Sequence, residues 1–214
     1  MSSNPKHQRN RAGGGRLESV SGSLLVRRFT VRQPEMYRVV EAVSVQRLAR
    51  LDKAALCELA QAVMDADYDN LDGDLVRVPG GSGGEIVVMA HAKRRSRELV
   101  VADTVFADPQ ALTQLRRILE EHGTDERSGV RLMGDPVEGL SAQDGPVALA
   151  SVGRLGTELL ASVLERLIAR LVAGGQIIVD DSRDPETRRA IEAALRGKKG
   201  YRIERKSGLH ILRA

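Results

Sequence analysis

Residues 75–84 read Leu75-Val76-Arg77-Val78-Pro79-Gly80-Gly81-Ser82-Gly83-Gly84. The apolar run before Pro79 predicts a buried strand, and residues 85–92 favour a helix. A glycine-rich turn between a strand and a helix brings backbone N–H groups close to a ligand. The turn residues Gly80, Gly81, Ser82, Gly83 and Gly84 are therefore candidate cofactor-binding residues. Their spacing differs from GxGxxG and includes no Walker lysine, so a merely flexible loop is the alternative interpretation.

Strand and helix patterns alternate along the rest of the chain, as is typical of parallel strands joined by crossover helices. Further strands are predicted at 99–102, 130–133, 147–152 and 177–179. A helix over 158–172 is expected to close at Gly174-Gly175, and strands 201–205 and 209–212 resemble a hairpin. The sequence thus predicts an α/β fold with a doubly wound, mostly parallel, Rossmann-like sheet and a C-terminal antiparallel hairpin. Residues 33–214 are expected to form this single domain.

The charge distribution bears on the class of partner. The chain has 214 residues, one cysteine and a net charge of +4. Residues 1–32 carry seven basic side chains and one acidic side chain, a charge of +6, so residues 33–214 carry −2. This polar, basic segment predicts a disordered tail, with a charged docking arm as the alternative. Because the rest has no basic excess, nucleic acid is not expected as a partner.

The remaining composition excludes other classes. One cysteine excludes a disulfide scaffold. The sequence contains no apolar run of membrane-spanning length and no hydrophobic signal segment, so we expect a cytoplasmic protein without a membrane partner.

Two groups of acidic residues follow predicted strands. Asp103 ends the strand at 99–102, where a carboxylate accepts hydrogen bonds from a ribose, although a turn or cap role is equally compatible. Asp180 and Asp181 end the strand at 177–179. Adjacent carboxylates bind a hard cation or act as a general base, and they also occur as ordinary loop residues.

Taken together, these stretches resemble the macrocin O-methyltransferase family of class I S-adenosylmethionine-dependent enzymes, which modify sugars and other small molecules in antibiotic biosynthesis. The resemblance spans residues 47–213. Residues 71–76 and Gly83-Gly84 resemble the family's cofactor loop, and residues 101–104 with Pro109 resemble its second-strand motif. The most specific block is 174–181. The resemblance implies that S-adenosylmethionine is held by the glycine turn and Asp103, with a metal at Asp180 and Asp181.

The departures from the family fall on functional positions. Arg77 stands where the family has a glutamate, Pro79 where it has a glycine, and Gly81-Ser82 where it has an aromatic residue and an arginine. Residues 153–155 replace an Asp-Gly-Asp segment that supplies a metal ligand, so magnesium is not expected. Arg77 also reverses the charge at its position, which disfavours a sulfonium cofactor and favours an anionic group.

The leading hypothesis is a divergent methyltransferase-fold protein of secondary-metabolite biosynthesis that performs no standard methyl transfer. In one version it catalyses cofactor-free ring closure or elimination, with Asp180 or Asp181 as the base and Arg77 or the Gly83 and Gly84 N–H groups stabilising the departing anion. In the other version it is one subunit of a heteromeric enzyme. The alternative is an active S-adenosylmethionine-dependent O-methyltransferase acting on a sugar or phenolic hydroxyl. We expect a small-molecule biosynthetic intermediate as substrate and a homo- or hetero-oligomer.

Overall fold

Strands and helices alternate along the chain as the sequence predicts. A computed structural model describes residues 14–79, 81–94, 96–124, 128–142, 144–180 and 184–214. Within them the strands are β1 (Asp74–Val78), β2 (Leu99–Ala102), β3 (Val130–Met133), β4 (Val147–Val152), β5 (Leu171–Val179), β6 (Arg202–Lys206) and β7 (Leu209–Arg213). The α-helices are α1 (Gly14–Arg32), α2 (Pro34–Val45), α3 (Lys53–Tyr68), α4 (Gly84–Ala92), α5 (Pro109–Glu121), α6 (Pro136–Ala142), α7 (Thr157–Arg170) and α8 (Pro185–Ala194). A short 3₁₀ helix spans Thr104–Ala107.

The seven strands form one sheet in the order β3-β2-β1-β4-β5-β7-β6. The five strands from β3 to β5 are parallel, whereas β7 pairs antiparallel with both β5 and β6. The predicted fold class and the C-terminal hairpin are therefore confirmed. The hairpin differs from a simple extension of the sheet, because its second strand, β7, inserts between β5 and β6.

Helices cover both faces of the sheet, because alternate residues of each strand point to opposite sides. One face, with Leu75 and Leu149, packs against α1 to α5, and the other, with Val76 and Val152, packs against α6 to α8. Every residue of β4 is buried, as expected for a central parallel strand.

The N-terminal region differs from the expectation of a disordered tail over residues 1–32. Residues 14–32 form α1, and Phe29 is buried in the core that α1 shares with α3. Packing of Leu25, Val26 and Phe29 against the core stabilises this helix despite its polar sequence, which differs from the expected disorder of residues 14–32. Residues 1–13 lie outside the described residues. Among the described helices, none combines the length and apolarity that a membrane span requires.

The predicted helix over 158–172 is also shorter than expected. It ends at Arg170, and Leu171 already pairs with Val147 as the first residue of β5. Gly175 lies within this strand rather than closing the helix, at a point where an added Cβ would lie 3.0 Å from the Ala148 carbonyl oxygen. Close strand-to-strand approach therefore explains that glycine better than helix termination.

Candidate functional site

The candidate site lies at the carboxyl ends of the parallel strands, where the strand order reverses. The chain passes from β1 outward through β2 to β3 and then returns to place β4 on the other side of β1. Ligands of open α/β sheets bind in the crevice at such a reversal. The glycine turn between β1 and α4 lies directly above it, after a cis Val78–Pro79 bond.

Arg77 lies inside the protein at this reversal. It follows Leu75 by two residues, so it points to the same helix-covered face, and its side chain is only 3% exposed. Arg77 Nη1 donates a hydrogen bond of 2.8 Å to Ser151 Oγ on β4, the residue directly opposite in the strand register. Arg77 Nη2 lies 3.5 Å from Glu85 Oε1 on α4. The guanidinium therefore joins two strands and a helix in a buried ion pair.

Glu85 supplies the carboxylate of that pair from the first turn of α4, where the helix dipole favours a negative charge. The residue is fully buried. Glu85 Oε1 accepts hydrogen bonds from the backbone N–H groups of Arg50 at 3.0 Å and Leu51 at 3.4 Å. Removing either partner of a buried ion pair costs about 3–5 kcal/mol, because the other charge stays buried without compensation.

The segment between α2 and α3 closes one side of the glycine turn. The carbonyl oxygen of Leu48 accepts a hydrogen bond of 2.6 Å from Ser82 Oγ and one of 2.8 Å from the Gly84 N–H. The approach is so close that a Cβ added to Gly84 would lie 2.7 Å from Val43 Cγ1. Two donors that the sequence assigned to a cofactor are thus bonded within the chain.

Asp103 connects the turn to the next two strands. Its Oδ2 accepts a hydrogen bond of 3.2 Å from the Gly81 N–H, and its Oδ1 accepts one of 3.0 Å from the Val105 N–H. Its own backbone N–H donates to Met133 O at 3.0 Å. The structure therefore shows the cap role for Asp103. Each carboxylate oxygen can accept a further hydrogen bond, so the predicted ribose contact stays open.

An open groove of about 650 Å³ lies beside Asp103, at the ends of β2 and β3. Its lining residues come from the 3₁₀ helix, β3 and the start of α6: Thr104, Ala107, Arg131, Leu132, Met133, Gly134, Asp135, Glu138 and Gly139. Asp135 caps α6 by accepting hydrogen bonds from the N–H groups of Val137 and Glu138. The groove combines apolar walls with a few polar groups.

The predicted metal site is only partly described. Asp180 lies half-buried after β5, where its N–H donates to Val152 O at 2.8 Å, and Asp181 lies outside the described residues. The described part of the chain holds no cluster of three or more His, Cys, Asp or Glu side chains arranged for a metal. Hydrogen bonds from Glu186 and Thr187 lower the pKa of the Asp184 carboxyl, and the Arg154 cation lowers it further. The predicted metal pair Asp180 and Asp181 therefore stays a prediction.

The predicted site residues fall into two groups. The turn residues Gly81 to Gly84, Arg77 and Asp103 lie together, whereas Asp180 ends a strand on the far side of β4. Gly80 lies outside the described residues. Sequence reasoning missed Glu85 and the groove. A sequence signal for Glu85 existed, since it is the one charged residue in the otherwise apolar stretch 85–90.

Comparisons with known proteins support the fold. No family model matches the sequence, and no curated protein matches it. Among solved structures, the O-methyltransferase NovP superposes with a TM-score of 0.64 at 19% identity, covering 76% of this chain and 80% of NovP. A methyltransferase from Geobacter sulfurreducens gives 0.61 at 20% identity, covering 89% and 95%. A Corynebacterium glutamicum protein gives 0.64 at 16% identity, covering 89% and 96%. The chain has the class I methyltransferase fold.

Proposed function

We propose that this chain is an S-adenosylmethionine-dependent O-methyltransferase that acts on a small molecule without a metal ion. The groove beside Asp103 carries the proposal, since it lies where a doubly wound sheet binds the nucleoside of its cofactor. The methyltransferase fold, with NovP as one structural neighbour, supports it. The family resemblance suggests a sugar or phenolic hydroxyl of antibiotic biosynthesis as the methyl acceptor.

The residues have separate roles in this proposal. Asp103 accepts hydrogen bonds from the ribose hydroxyls while it holds the Gly81 N–H and so fixes the glycine turn. Residues such as Thr104 and Met133 exclude water from the base. When bound, the cofactor supplies a methyl group on a positively charged sulfur. Asp180 or Asp181 accepts the proton of the substrate hydroxyl, which makes the hydroxyl oxygen a stronger nucleophile towards the methyl group.

Isothermal titration with S-adenosylmethionine and S-adenosylhomocysteine tests this proposal. We expect micromolar dissociation constants that stay the same with magnesium or with EDTA. Binding that requires magnesium would restore a metal role for Asp180 and Asp181. No heat of binding for either ligand would contradict the proposal.

The second candidate function is cofactor-free chemistry, or a role as one subunit of a larger enzyme. The contacts of Leu48 favour it, because Ser82 Oγ and the Gly84 N–H are bonded to its carbonyl oxygen rather than left for a cofactor. Arg77 contributes less than the sequence suggested. Its charge is opposed by Glu85 at 3.5 Å, so it does not leave a free cation to stabilise a departing anion.

A further inference from the structure

One oxygen of the buried Glu85 carboxylate has no hydrogen-bond partner among the described residues. This atom, Oε2, is inaccessible to solvent, whereas Oε1 accepts from Arg50 and Leu51. Buried carboxylate oxygens almost always have a donor, and an unpaired one calls for an explanation such as a ligand. Glu85 Oε2 is therefore a buried acceptor for which the described residues supply no donor.

The unpaired oxygen faces the glycine turn. A Cβ built on Gly81 would have Glu85 Oε2 as its nearest described neighbour, at 3.9 Å. The N–H of the same glycine donates to Asp103, the residue beside the groove. Oε2 thus lies close to the glycine turn at Gly81.

The hydrogen-bonding groups around the turn determine which group fits there. Two acceptors, the Leu48 carbonyl oxygen and the Glu85 carboxylate, crowd the start of α4, and Leu48 already takes the Gly84 N–H. Arg77 balances the charge of Glu85, so the choice of ligand group rests on hydrogen bonding, and an anionic group would bring no donor for Oε2. A protonated amine brings only donors, and its hydrogen bond to a carboxylate is about twice as strong as a neutral one.

We infer that Glu85 Oε2 accepts a hydrogen bond from the protonated amino group of an amino-acid-bearing nucleoside. The inference rests on the proposed function, because the nucleoside must lie in the groove beside Asp103. Arg77 is a positioning residue: it lies beside Oε1 and leaves Oε2 turned towards the glycine turn.

Isothermal titration of wild type and Glu85→Gln with two ligands tests the inference. S-adenosylhomocysteine carries the amino group, whereas 5′-methylthioadenosine has the same nucleoside without the amino acid. Glutamine keeps an acceptor for Arg50 and Leu51 but loses the charge. We expect Glu85→Gln to lower the affinity for S-adenosylhomocysteine about tenfold, because a charge-assisted hydrogen bond is lost. The affinity for methylthioadenosine should be unchanged. The control Glu121→Gln, an exposed residue of α5, should alter neither affinity.

A second measurement needs no variant and holds even if Glu85→Gln fails to fold. Wild type is titrated with the deaminated analogue of S-adenosylhomocysteine, in which hydrogen replaces the amino group. We expect this analogue to bind about tenfold more weakly than S-adenosylhomocysteine.

The outcomes separate this inference from the proposed function. Equal weakening of both ligands by Glu85→Gln, or equal affinity of wild type for the deaminated analogue, would overturn the role of Glu85 alone. Failure of wild type to bind any of the three nucleosides would overturn both.

Discussion

The two ends of the sheet edge that form the candidate site are built differently. At the ends of β2 and β3, Asp103 and Asp135 accept hydrogen bonds from local N–H groups. An open groove is lined there by Asp135 and by Thr104, the residue after Asp103. At the ends of β1 and β4, Arg77, Glu85 and Ser151 bond to one another inside the protein. The first end is open, whereas at the second end two buried atoms of the described residues, Glu85 Oε2 and Arg77 Nε, have no hydrogen-bond partner.

This contrast shows that a reversed charge at one position need not reverse the charge of a site. The sequence suggested that Arg77 makes the β1 end attractive to anions. The carboxylate of Glu85 opposes that charge, and the Leu48 carbonyl oxygen adds a further acceptor. We call the ends of β1 and β4 the closed end and the ends of β2 and β3 the open end. We therefore expect substitutions at the closed end to change stability and substitutions at the open end to change ligand affinity.

The largest effect is expected from Arg77→Met, which leaves Glu85 buried without its counter-charge. We expect the free energy of unfolding in urea to fall by about 3–5 kcal/mol. The double variant with Glu85→Gln should recover part of this loss, because the pair acts as a unit. The control is Arg117→Met, whose ion pair with Glu121 is exposed, with a change within about 1 kcal/mol. Equal stability of Arg77→Met and wild type would show that the closed end is not held by the pair.

At the open end, Asp103→Asn should weaken nucleoside binding most. The amide cannot serve both the Gly81 N–H and a ribose hydroxyl as well as a carboxylate does. A hydrogen bond to a charged group contributes about 1.5–3 kcal/mol, so we expect a loss of about 10- to 150-fold for S-adenosylhomocysteine and methylthioadenosine alike. Isothermal titration measures it. Asp108→Asn, which keeps a capping side chain on α5, should bind normally. Unchanged binding by Asp103→Asn would assign Asp103 to the cap alone.

A smaller effect is expected from filling the groove with Gly134→Leu. An added Cβ at Gly134 meets no atom within 4 Å, so the variant should fold. The leucine side chain would occupy the space proposed for the nucleoside. It should lower the affinities for S-adenosylhomocysteine and methylthioadenosine about tenfold. Gly156→Leu is the matched control, since Gly156 is equally open but lies before α7. Competition titration distinguishes them, and equal affinities in the two variants would place the nucleoside elsewhere.

The smallest effect concerns Cys57 on α3, in the helical layer that packs against α4. Burial raises the pKa of the Cys57 thiol to about 12, so at pH 8 the reactive thiolate is almost absent. We expect labelling by iodoacetamide to be slow in the folded protein and fast in urea, as followed by mass spectrometry. Rapid labelling without urea would show that the helical layer opens, which contradicts a closed β1 end.

Much of the sheet could be predicted from local patterns. The apolar run at 147–152 places β4 correctly, because the pattern of a buried strand depends on neighbouring residues. Helix α1 was missed, since its polar sequence resembles a tail and Phe29 finds its partners only in the folded chain.

The site was predicted less completely for a physical reason. The glycine turn and Asp103 belong to one strand–turn–helix pattern and its neighbouring strand, so their proximity follows from topology. The contact of Leu48 with Ser82 joins residues 34 positions apart and leaves no local pattern. The groove likewise depends on how the 3₁₀ helix and α6 pack. Only the isolated charge of Glu85 in an apolar helix indicated the closed end.

The most direct test of the two-ended site is a crystal structure of the protein with S-adenosylhomocysteine. Our account predicts the adenosine in the groove between Thr104 and Glu138, the ribose hydroxyls at Asp103, and the amino nitrogen within hydrogen-bonding distance of Glu85 Oε2. A ligand bound away from this groove, or crystals that stay empty at saturating ligand, would contradict it.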